Sequence, residues 1–177
     1  MTRNKKKNFL DSLSADEASR VLKALVDDNP DLVGKVYDIA VKMTCAVDAD
    51  EIRDDVFHAL DSLDVDVLYG RSGRTRHGYV QPYDESWVMF EEALAPFIDE
   101  MNMSWRRGLP AVAKTYCIGI IKGLWQYEKE SISDFTDWVT DAPGEYVGTV
   151  VEEWKKTCNP PNEDVAEVMV VAKGGKP

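Results

Sequence analysis

The chain has 177 residues, 44% of them hydrophobic and 30% charged, so it is long enough to bury a core and too apolar for a disordered chain. Lys and Arg total 21 against 32 Asp and Glu, a formal charge of −11, which repels phosphate backbones and anionic membranes unless cations are locally grouped. Its three cysteines, Cys45, Cys117 and Cys158, form no CxxC or CxC pair, which excludes the sequence-local zinc sites and redox motifs.

Residues 1–9 carry Arg3, Lys5, Lys6 and Lys7 and no acid, leaving −15 on the rest. Phe9 and Leu10 are followed at once by Asp11, so the basic start lacks the apolar run of a signal peptide. No stretch approaches the ~18 consecutive apolar residues of a membrane span. Residues 1–12 read as a basic flexible arm, 13–172 as one helical domain and 173–177 as a tail. An odd number of cysteines without a secretion signal fits a reducing, cytoplasmic setting.

Ser14 and Glu17 make a capping box ahead of Ala18, Val21, Leu22, Leu25 and Val26, whose spacing predicts a helix over 15–27. Asn29-Pro30 restarts the chain, and Leu32, Val36, Ile39, Ala40 and Met43 stripe a second helix. Asp48 to Glu51 open a third, with Ile52, Val56, Ala59, Leu60 and Leu63 on its face. Residues 64–83, with three glycines and a proline, break the pattern and predict one long irregular loop, with a short extended piece at 65–69. Helical order returns at Asp84, with Trp87, Phe90, Leu94, Phe97, Ile98, Met101 and Trp105; Pro96 is expected to kink or split this helix near Ala95. Arg106 to Pro110 is a stop and restart. A helix over 110–130 follows, with Val112, Ala113, Tyr116, Cys117, Ile120, Leu124 and Tyr127 along one side. A weaker helix over 133–141, another that Pro143 starts and Asn159-Pro160-Pro161 ends, and a helix or strand over 163–172 complete the chain. The expected fold is all-α: seven or eight amphipathic helices in stacked antiparallel hairpins, like a helical repeat, plus one long loop.

The stretch Gly108-Leu109-Pro110-Ala111-Val112-Ala113-Lys114-Thr115-Tyr116 resembles the inter-helix turn of tetratricopeptide-type repeats, where a glycine precedes a small residue by five positions. Across residues 9–130, Phe9–Ser14, Leu22–Leu32, Asp48–Leu63 and Trp87–Tyr127 follow one another as in the helical-repeat regions of prokaryotic SWIM-finger-associated proteins. Those regions are similar to tetratricopeptide or HEAT arrays, and the resemblance implies an interaction scaffold. The CxC and later CxH of the finger itself are absent, so its DNA-binding role does not carry over.

The stretch from Gly70 to Gly78 concentrates Arg71, Arg74, Arg76 and His77 with three glycines. Arginine forks and open amides suit phosphate or carboxylate, while pairing with the protein's own acids, such as Asp61, Asp64 and Asp66, explains the same residues. Gly73 and Gly78 have P-loop spacing, but Tyr79 stands at the lysine position. Trp105 beside Arg106 and Arg107 has the composition of an interface hot spot, which stacking within the fold explains equally well. The acids at 48–55 lack EF-hand spacing and suit a helix N-terminus. His58 has Asp54 and Asp55 on its helical face but no second histidine or nucleophile beside it. Cys117 falls on an apolar stripe and reads as a small buried hydrophobe.

These readings predict a non-catalytic helical scaffold for a protein partner, with no metal or cofactor. The alternatives are a nucleic-acid accessory using the Lys5–Lys7 arm and the Arg71–Arg76 loop, and an enzyme whose site is assembled from scattered residues.

Overall fold

The computed structural model describes residues 3–44, 47–75 and 78–174. By contacts the chain divides into two compact units, 1–44 and 45–177, where the sequence reading expects one domain over 13–172. The class is all-α, and the described residues form nine α-helices and a single two-stranded hairpin. None of these helices is long and apolar enough to cross a membrane.

In the first unit, residues expected to be a flexible arm form α1 (Arg3–Asp11). Helix α2 (Ala15–Asp28) begins at the expected capping box. The Ser14 amide donates to Glu17 Oε2 at 2.9 Å and the Glu17 amide to Ser14 Oγ at 3.4 Å, so two of the free donors at the helix start are satisfied reciprocally. A 3-10 turn at Pro30–Leu32 leads into α3 (Val33–Thr44). From Lys6 to Lys42 no residue is buried.

The second unit gathers around α7 (Pro110–Glu130), which packs against α4 (Ala49–Asp61), α6 (Pro82–Arg106), α8 (Ala142–Cys158) and α9 (Asn162–Lys173). α7 contributes buried residues on every side, from Val112 to Tyr127. Its approach to α4 depends on Gly119 and Gly123. A Cβ at either position would lie 2.6 Å from the Cβ of Ile52 or Val56 and 2.9 Å from the carbonyl oxygen of Ala49 or Arg53. α6 and α7 join through a Schellman turn: Gly108 takes φ +77°, its amide donates to Trp105 O at 2.8 Å, and the Leu109 amide donates to Ser104 O at 3.0 Å. Two end-of-helix carbonyls are thereby satisfied, and the stop and restart read at Arg106–Pro110 is realised.

The loop expected over 64–83 is α5 (Val65–Arg71) followed by a hairpin of β1 (Gly73–Thr75) and β2 (Gly78–Val80), with Arg74 opposite Tyr79. Asp64 Oδ1 accepts from the Asp66 amide at 2.6 Å and fully buried Leu68 anchors the helix, a local order that the glycine count conceals. Of the kink or split expected at Pro96, the split is absent, since α6 runs unbroken for 25 residues. Pro96 and Glu92 are both exposed, so the carbonyl that loses its amide partner can turn to water. The weaker helix over 133–141 is a 3-10 segment, Asp134–Trp138, and 163–172 is helical, as α9.

Candidate functional site

Of the loop residues singled out in the sequence, Arg71 has the clearest geometry. Its Nε lies 2.7 Å from Glu85 Oε1, and its Nη1 and Nη2 donate to Glu92 Oε2 and Oε1 at 2.7 and 3.0 Å. This fork ties the end of α5 to α6. It holds the Glu92 carboxyl below the usual carboxylate range and keeps the guanidinium more firmly protonated. The partners are acids on α6 rather than the expected Asp61, Asp64 and Asp66. Arg74 is exposed on β1. Arg76 and His77 lie outside the described residues, and so does Cys45.

Trp105 is half-buried and packs against the core of the second unit. Arg106 is exposed, and Arg107, also exposed, donates from Nη2 to the sulfur of Met103 at 2.9 Å. Trp105 is therefore held by its own fold, while the two arginines border the Schellman turn.

The acids at 48–55 are engaged locally. Asp48 Oδ1 accepts from the Asp50 amide at 2.9 Å as the cap of α4. Asp50 receives Lys122 at 2.9 Å and Arg53 at 3.0 Å, and Arg53 also reaches Asp54 at 2.8 Å. Lys122 foremost holds the Asp50 carboxyl low. Among the described residues no group of three His, Cys, Asp or Glu side chains is placed to hold a metal ion. His58 is exposed and edge-on to Phe57, with ring centroids 5.6 Å apart. Cys117 and Cys158 are buried free thiols. Burial first, and then the other thiol, pushes Cys117 up to about 12, and burial first, and then Glu153, pushes Cys158 up to about 11. Neither is a thiolate at neutral pH.

Two features escaped the sequence reading. One is a groove of about 570 Å³ between α8 and α9, floored by Trp125, lined by Val147, Val151 and Met169, and flanked by Lys155 and Lys173. The indole Nε1 of Trp125 is buried without a hydrogen-bond partner. Helical spacing pointed to neither the groove nor the orphan donor, because both depend on how far α8 and α9 stand apart. The other feature is the exposure of apolar side chains in the first unit. Val21 and Leu22 are 47% exposed, Leu25 44%, Val33 48% and Ile39 50%, with Phe9 and Leu10 more open still. Periodicity places Val21, Leu22, Leu25 and Ile39 on apolar helix stripes; the structure leaves these four exposed and Val26, Leu32 and Val36 half-buried.

No protein-family model matches the chain, and no curated protein or solved structure is significantly similar to it.

Proposed function

We propose that the chain is a non-catalytic helical scaffold that works in the cytoplasm by binding another polypeptide through the apolar face of residues 1–44. The observation that carries this reading is the pair of amphipathic helices α2 and α3, whose Val21, Leu22, Leu25, Val33 and Ile39 are left open. Exposed apolar side chains that recur on amphipathic helices suit an association surface. Arg71 is committed to Glu85 and Glu92, so it has less to offer a ligand than the composition of its segment implies.

Cross-linked capture from the host lysate tests this, using the full chain beside its Leu22→Ala/Leu25→Ala variant, with and without nuclease. The expected result is a stoichiometric polypeptide, foreign or a further copy of this chain, that survives nuclease and is lost in the variant. Capture that vanishes with nuclease and falls steeply with salt would instead favour phosphate contacts from the Lys5–Lys7 helix.

A further inference from the structure

We infer that the apolar face of residues 1–44 is closed by the same face of a second copy, so that the protein is a two-fold dimer through its first unit; this rests on the reading of that face as an interaction surface. The three helices of the unit are short, at 9, 14 and 12 residues. Helices of this length are marginal in water unless an amphipathic face is packed. Within the unit, Val26, Leu32, Val36 and Val41 reach only half-burial, and nothing from Lys6 to Lys42 is buried. A cover must come from elsewhere.

Charge names the occupant. Residues 45–177 carry thirteen cations and twenty-five acids, net −12, so two copies meeting through their second units would bring like charges together. Residues 1–44 carry eight cations and seven acids, net +1, and are the part of the chain through which copies can approach without that penalty. Inside this unit the charge is also polarised. α1 has Arg3, Lys5, Lys6 and Lys7 against Asp11, net +3, while α2 has Arg20 and Lys23 against Asp16, Glu17, Asp27 and Asp28, net −2. In a two-fold contact, whatever α1 of one copy meets on its partner, α1 of the partner meets on the first copy. Laying α1 along the partner's α2 then pairs positive with negative twice. Val21, Leu22, Leu25, Val33 and Ile39 supply the apolar seam.

Sedimentation equilibrium of the full chain from nanomolar to high-micromolar concentration tests this, together with hydrogen exchange of the α2 amides. A dimer is expected, with α2 amides that slow as it forms. Leu22→Ala/Leu25→Ala adds no helix penalty of its own, since alanine is the best helix former, and should weaken dimerisation by about 100-fold. Its circular dichroism serves as the check that α2 persists. A second variant, Asp27→Lys/Asp28→Lys, leaves the apolar seam intact and should weaken the dimer most at low salt. A monomer with fast-exchanging α2 amides would overturn the second copy as occupant while leaving a foreign partner in place. A monomer with slow α2 amides would overturn both, because the face would then be covered within one chain. A dimer indifferent to both variants would place the contact on another surface and overturn the inference.

Discussion

α2 and α4 are helices of nearly equal length, 14 and 13 residues, each opened by a polar cap and each striped at three- and four-residue intervals. In α4 that stripe, Ile52, Val56 and Leu60, is buried; in α2 the matching Val21, Leu22 and Leu25 stand open. The helices do not differ in pattern but in what lies opposite. α4 meets α7 where Gly119 and Gly123 let two backbones close up, and no residue of α2 is buried. Periodicity tells which face requires cover, and only tertiary structure tells whether cover is present.

The contrast can be broken or sharpened by experiment. The interior of the second unit should shield its thiols. With Cys117 pushed up to about 12, its alkylation at pH 8, followed peptide by peptide, should be about a thousandfold slower than that of a free cysteine; fast labelling in the native protein would show a loose interior. Next comes the same substitution made in both units. Leu124→Ala, at a fully buried position on α7, should cost about 2–5 kcal/mol in urea unfolding, whereas Leu22→Ala should change the unfolding of a monomeric sample by no more than about 0.5 kcal/mol. Equal costs would erase the distinction between the units. Third, Gly123→Ala should destabilise by about 1–3 kcal/mol, because its methyl group meets Val56 at 2.6 Å, although alanine favours the helix itself. Stabilisation would mean that α4 and α7 can part freely. The smallest effect concerns acid. Arg71 and Lys122 hold the carboxyls of Glu92 and Asp50 low in the folded state, so their contribution is complete above the ordinary carboxylate range and is lost as pH falls through the lowered values. Both groups are exposed, and Glu92→Gln should therefore flatten the acid limb of stability only slightly.

Much of the local structure was legible in the sequence. Ser14 with Glu17, and Arg106 through Pro110, marked helix ends that the structure reproduces, because caps are decided by a few neighbouring residues. At 64–83 the glycine count points to a loop where the structure has α5, because buried Leu68 anchors the helix. Sequence offers Arg71 its near neighbours Asp61, Asp64 and Asp66, whereas Glu85 and Glu92 reach it only once α5 lies along α6. The Trp125 groove could not be read at all, since it is the space between α8 and α9 rather than any residue.

Because α7 is flanked by α4, α6, α8 and α9, no local fraying exposes its middle. The amides near Ile120 and Ile121 must wait for the whole unit to open before they exchange with solvent. Those amides should be the slowest in the chain, and their exchange rate is a direct gauge of the global unfolding equilibrium of residues 45–177.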